Sequence, residues 1–153
     1  MVLLYPVERK LVMDLLQDIK ESEGLALTAY WDDYGKVWTI GYGSTFYEDG
    51  SPVKEGDTIT KKRAEELLKR YVDTQITQKV GIINKLNDYQ KRAVFSLVYN
   101  IGYVQFNKSQ LKKHIVANNI EGIYKNWDWI CSGGKPLKGL ARRRAKELAL
   151  YFT

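Results

Sequence analysis

The sequence predicts an α+β fold in which a small antiparallel sheet lobe and a larger helical lobe are joined by a long helix. Three observations carry that reading. Apolar residues recur at three- and four-residue steps from Pro6 to Ser22, and a helical pattern returns from about residue 60 to the C-terminus. Between Leu25 and Val53 the period changes: the strand-prone Tyr30, Trp31, Val37, Trp38, Ile40 and Tyr42 surround the turn chemistry of Asp32-Asp33-Tyr34-Gly35. At 153 residues the chain has the size of one domain with a sizeable core. The sheet lobe spans about 24–59, the linking helix about 60–80, and the helical lobe takes 1–23 plus 81–153. The crevice where such lobes meet is the default binding site.

The first helix buries Val7, Leu11, Val12, Leu15, Leu16 and Ile19, with Pro6 suited to its first turn and Gly24 to its end. Glu23 falls at the helix C-terminus, where the macrodipole disfavours a negative charge, so an acid there invites a functional explanation. The aromatic stretch after Gly24 makes a sheet of two or three strands, with a second turn at Glu48-Asp49-Gly50-Ser51-Pro52. A sheet that small needs other elements to stabilise it. Thr60 caps a helix from Lys61 to about Lys79, whose apolar face holds Ala64, Leu67, Leu68, Tyr71, Val72, Ile76 and Val80. Tyr89 to Tyr99 is apolar on more than one side, as a buried central helix requires, and Gly102 ends it. Ser109 caps a short helix through Val116, Ile120 to Trp129 forms another, and Gly139 precedes a last one to Tyr151. Ser132-Gly133-Gly134-Lys135-Pro136 reads as a mobile loop.

Composition removes several classes of function. No apolar run reaches membrane-spanning length, and Pro6, Glu8, Arg9, Lys10 and Asp14 interrupt the N-terminal apolar residues, so neither stable membrane insertion nor a signal peptide is expected. The chain is therefore expected in the cytoplasm. The lone Cys131 has no internal disulfide partner and reads as a buried inert thiol. A net charge of +6 favours polyanionic partners without choosing among them. The Arg142-Arg143-Arg144 cluster reads equally as a solvated helix face, and without a nucleic-acid-binding signature no nucleic acid partner is expected. His114, the only histidine, sits on a lysine-rich helix with no G-x-S-x-G elbow, which argues against triad chemistry. One His and one Cys far apart give no metal site. Gly41-Tyr42-Gly43 lacks the rest of a dinucleotide fingerprint and Gly133-Gly134-Lys135 the rest of a P-loop, so no cofactor is expected.

Carboxylates remain. Glu23 and Asp32 lie nine residues apart across the junction from helix to sheet, and Thr39 sits in the next strand. Glycoside hydrolysis needs one protonated carboxyl to give its proton to the leaving oxygen and a second, ionised acid to steer water or attack. An acid at a helix C-terminus near aromatic rings fits the first role, and an aspartate in a polar turn fits the second.

The stretch E-G-L-A-L-T-A-Y-W-D-D-Y-G-K-V-W-T-I-G-Y-G-S-T resembles the signature of the phage-type lysozymes and endolysins, a glycoside hydrolase group that includes the T-even phage lysozyme. L-N-D-Y-Q-K-R-A-V-F-S-L-V-Y-N-I-G from Leu86 resembles that group's central helix. Phe106 with Ser109-Gln110-Leu111 resembles the segment after that helix, and Gly139 to Glu147 the group's closing segment. The resemblance runs from about Lys20 to the C-terminus and implies the lysozyme-like two-lobed fold, with the active-site cleft between the lobes. It implies Glu23 as general acid, Asp32 supporting the attacking water and the developing cation, Thr39 holding that water, and inversion at the anomeric carbon. Tyr99, Asn100 and Ser109 match substrate-facing positions, and Arg142 or Arg143 matches a basic residue paired with the acid. Asp33 fits the spacing to Thr39 as well as Asp32 fits the spacing from Glu23, and members with longer turns keep the upstream count, which favours Asp32. Ser44 stands where the family usually has His.

The implied activity is that of an endolysin muramidase. It cuts the β-1,4 bond between N-acetylmuramic acid and N-acetylglucosamine in peptidoglycan glycan strands, working as a monomer in phage lysis and needing a holin for release. The alternative is a catalytically inactive sugar-binding or scaffolding module of the same fold.

Overall fold

The structure is a computed structural model that describes residues 6–80, 85–129, 131–132 and 135–153. Helix α1, Pro6–Glu23, buries Val12, Leu15 and Ile19 along one stripe. It stops where Gly24 enters the left-handed region at φ +70° and donates its N–H to the Lys20 carbonyl at 3.1 Å.

Strands β1, Ala26–Asp32, and β2, Val37–Gly41, pair antiparallel, with Tyr30 opposite Thr39, Trp31 opposite Trp38 and Asp32 opposite Val37. A bulge between Ala26 and Tyr30 resets the register. Because side chains alternate along a strand, the two faces separate cleanly. One face carries Ala29, Ile40 and Val53 into a small core, with Trp38, Tyr47 and Ile59 packed on it and the Trp31 and Trp38 rings edge to face at 5.6 Å. The other face carries Tyr30, Asp32 and Thr39. Isolated bridges extend the sheet, from Thr28 to Thr58, Ile40 to Ser44 and Phe46 to Pro52. The expected two or three strands are thus two full strands with a bridge-level addition along β1.

Thr60 caps α2, Lys61–Tyr71, by accepting the Arg63 N–H at 3.1 Å. The helix then widens into a π-helical turn over Val72–Ile76 before α3, Thr77–Val80. A regular helix to Lys79 was the expectation, with Tyr71 on its apolar face. Ala64, Leu67, Leu68, Val72, Ile76 and Val80 are buried as expected, whereas Tyr71 is 47% exposed. A π turn takes more residues than an α turn, so it carries the buried row onward from Val72 with Tyr71 left beside it. The chain divides into two compact units, Met1–Gln75 and Ile76–Thr153, and the division falls inside this turn.

In the second unit Asn87 and Gln90 form a reciprocal capping box at the start of α4, Asp88–Ile101, whose residues 93–98 are all buried. Helices α5, Tyr103–Asn107, α6, Gln110–Val116, and α7, Ile120–Asn126, come next in short steps. Helix α7 ends before Trp127 instead of reaching Trp129, because the Trp127 indole turns inward to donate to Glu147 at 3.2 Å. His114 is half-buried: a Cβ on Gly122 would collide with its imidazole, so α7 needs glycine where it passes α6. The segment expected to be a loop instead begins and ends in a two-stranded ribbon, β3, Cys131–Ser132, against β4, Lys135–Pro136. Gly133, Gly134 and the Cys131 thiol lie outside the described residues. Helix α8, Lys138–Tyr151, packs on α4. It starts one residue before Gly139. Within the described residues the architecture is α+β, helical with small antiparallel sheets.

Candidate active site

Glu23 is the last residue of α1, partly buried, and Gly24 turns the chain from it directly into β1. Asp32 closes β1. Its Oδ1 accepts the Tyr34 N–H at 3.0 Å, its carbonyl accepts the Lys36 N–H at 2.7 Å, and a Cβ on Gly35 would lie 2.8 Å from its Oδ2. The aspartate therefore both ends the strand and shapes the loop to β2, an Asx-type arrangement that fixes where its carboxylate points. Asp33, one residue on, is exposed. Thr39 is 4% exposed and its hydroxyl donates to the Val37 carbonyl at 3.4 Å, a long bond that leaves its lone pairs available. Strand alternation puts Asp32 and Thr39 on the same sheet face as diagonal neighbours, and Tyr30, directly across from Thr39, joins them there.

The charge of Glu23 also reaches Tyr30. Burial, then the charge of Asp32, then the charge of Glu23 push its phenol above the ordinary value, so both carboxylates act on one hydroxyl. Ser44, at the usual histidine position, pairs through its backbone with Ile40, with 2.9 Å bonds in both directions. The local tie is made by main chain, which asks little of the side chain.

In the second unit, Tyr99 and Asn100 occupy the last turn of α4, both partly buried. Asn100 accepts a hydrogen bond from the Arg144 guanidinium through its Oδ1. The Ser109 hydroxyl donates to the Phe106 carbonyl at 2.6 Å and accepts the Lys112 N–H at 3.2 Å, so it is first of all a helix cap. The three arginines do not form one solvated face: Arg142 is exposed, whereas Arg143 and Arg144 are 7% and 2% exposed. Both hold Glu147, Arg143 through Nε to Oε2 at 3.3 Å and Arg144 through Nη1 to Oε1 at 2.5 Å. Ser96 and Trp127 donate to the same carboxylate, and Arg143 also donates to the Ser96 carbonyl at 3.0 Å. Glu147 is a buried acid with four donors, the condition under which a buried charge is tolerated.

Sequence reasoning missed two residues of this picture. Arg144, not named as a site residue, is the one that reaches Asn100. Tyr30, taken as a sheet aromatic, is 47% exposed on the carboxylate face, and the signal that locates it is its two-residue offset from Asp32. Among the described residues, no group of three His, Cys, Asp or Glu could hold a metal ion.

A family model described as phage lysozyme matches residues 20–147. The endolysin of Acyrthosiphon pisum secondary endosymbiont phage 1 is 36% identical over 143 residues, which cover 87% of this chain and 91% of that one. Among solved structures, an endolysin from Escherichia coli O157:H7 phage FAHEc1 superposes with a TM-score of 0.72 at 33% identity, covering 90% of this chain and 89% of its own. The muramidase domain of SpmX from Asticaccaulis excentricus gives 0.75 at 28% identity, covering 92% and 95%.

Proposed function

The chain belongs to the phage lysozyme family, and we propose that it is the muramidase of a phage lysis system, hydrolysing the β-1,4 bond from N-acetylmuramic acid to N-acetylglucosamine in peptidoglycan. Endolysin relatives support the lytic role, and a structural neighbour titled a muramidase domain supports the bond. The observation that carries the reading is that Asp32 and Thr39 share one sheet face, on a hairpin the chain enters directly from Glu23 at the end of α1.

In this reading Glu23 gives its carboxyl proton to the glycosidic oxygen as the bond to the anomeric carbon breaks. A water held by the Thr39 hydroxyl attacks that carbon from the opposite face and loses its proton to the Asp32 carboxylate. The product is inverted. The negative charge of Asp32 also stabilises the oxocarbenium character of the transition state. Tyr99, Asn100 and Ser109 contact the glycan, and one of Arg142 and Arg143 balances the charge of the acid. The enzyme acts as a monomer and reaches the wall once a holin opens the membrane. No described helix is long and apolar enough to cross a membrane.

Replacing Glu23 by Gln is expected to abolish the loss of turbidity of permeabilised Gram-negative cells while leaving thermal unfolding unchanged. Mass spectrometry of the wild-type products is expected to show reducing N-acetylmuramic acid ends. An anhydro ring would reassign the enzyme as a transglycosylase, and full activity of Glu23→Gln would remove the assignment altogether.

A further inference from the structure

Tyr30 occupies a place that the packing of the sheet does not explain. The small core under the sheet is built from the opposite face, by Ala29, Ile40 and Val53 with Trp38 against them, so Tyr30 contributes nothing to it. Its ring is 47% exposed, and its hydroxyl has no hydrogen bond to any described residue. It shares its face with Asp32, two positions along the strand, and with Thr39, directly across. An exposed aromatic with a polar tip beside reactive groups is the shape of a saccharide contact, the ring lying against apolar C–H and the hydroxyl bonding a polar substituent.

We propose that Tyr30 is a substrate-contacting residue, whose hydroxyl donates a hydrogen bond to the N-acetylated amino sugar bound at the scissile linkage. The identity of that sugar rests on the muramidase reading. The direction of the bond is set by the surroundings. Two acids and burial all disfavour a phenolate, so the hydroxyl keeps its proton at neutral and mildly alkaline pH and stays a donor. Sugar hydroxyls and the acetamido carbonyl are acceptors of the kind it lacks among the described residues. A donor on the face of Asp32 and Thr39 orients the sugar ring relative to the attacking water, where small misplacements are costly.

The test uses Tyr30→Phe, which keeps the ring and removes the donor, in the wild-type chain and in the non-hydrolysing Glu23→Gln chain. In the first, kcat and KM on soluble peptidoglycan fragments are followed across pH. In the second, binding of a purified peptide-free tetrasaccharide of the wall glycan is followed by calorimetry. Thermal unfolding is expected to stay put, kcat/KM to fall about five- to tenfold with both pH limbs unmoved, and tetrasaccharide binding to weaken by a similar factor. Unchanged kinetics and unchanged binding overturn the proposal while leaving the muramidase reading intact. A moved pH limb with unchanged binding also overturns it, because Tyr30 then acts only through the carboxylates. If the wild-type chain fails to cleave peptidoglycan but Tyr30→Phe still weakens binding, the hydrolase reading falls and the sugar contact stands.

Discussion

Asp32 and Asp33 are adjacent, equal in chemistry and opposite in surroundings. The Asp32 carboxylate is fixed by the Tyr34 N–H and shares a face with Thr39, while Asp33 is exposed in the loop. A base must be held within reach of the proton it takes to be useful, and only the first of the two is held at all. Asp32→Asn is therefore expected to lower kcat by about a hundredfold or more. Asp33→Asn should leave it within about twofold, the range of exposed substitutions. Turbidity rates of the two purified variants decide the matter, and the reverse order would make Asp33 the second acid. The family resemblance already favoured Asp32, while the spacing alone left the two equal. What spacing left out was Tyr30, because an aromatic in a strand is as much at home in a core as on a binding face, and only the register with Thr39 shows which face it takes.

At the level of elements, the loop between β1 and β2 is where fold and chemistry meet. It is four residues long, Asp33 to Lys36, and Lys36 takes φ +55°, a left-handed position without glycine. Gly35 is needed for a different reason: any Cβ there would sit 2.8 Å from the Asp32 Oδ2, inside contact distance. A carboxylate on a short side chain yields more easily than backbone. Gly35→Ala should thus rotate Asp32 rather than unfold the hairpin, costing under about 1 kcal/mol in stability and about tenfold or more in kcat. Parallel thermal melts and turbidity assays measure that separation, and equal losses in both would show that Asp32 is not the group displaced. The hairpin turn, the Thr60 and Ser109 caps and the apolar stripes of α1 and α4 were all readable, because caps and periodicity are local. The π turn at Val72–Ile76 was not, since one extra residue per turn barely disturbs a hydrophobic pattern read over several turns. The end of α7 was missed for a different reason. The indole of Trp127 turns toward Glu147, twenty residues away, and no local signal reports a partner at that distance.

On the scale of the molecule, the charge balance reads differently once burial is known. Three consecutive arginines suggested a basic surface, yet Arg143 and Arg144 are spent on the buried Glu147, with Ser96 and Trp127 completing its shell. Sequence cannot separate a charge run that faces water from one that grips an internal acid, because the acid's burial depends on the packing of α4 against α8. The surface field that acts on a partner is therefore carried by other groups: Arg142 and lysines such as Lys61, Lys62 and Lys69, with Arg70, all exposed. With a net charge of +6 this field attracts a polyanionic wall, and attraction between exposed charges is screened over about 10 Å at 0.1 M salt. The initial rate on intact sacculi should then fall several-fold between about 0.02 and 0.3 M sodium chloride. On a short peptide-free glycan fragment, whose few charges are one lactyl carboxylate per N-acetylmuramic acid against the dense charge of the wall, the same change should alter the rate by less than about twofold. Lys61→Gln with Lys62→Gln removes two exposed charges at the start of α2 and is expected to flatten the salt dependence on sacculi while leaving the fragment rate unchanged. A salt response of equal size on both substrates would place the effect inside the catalytic step, and the basic surface would then have no share in finding the wall.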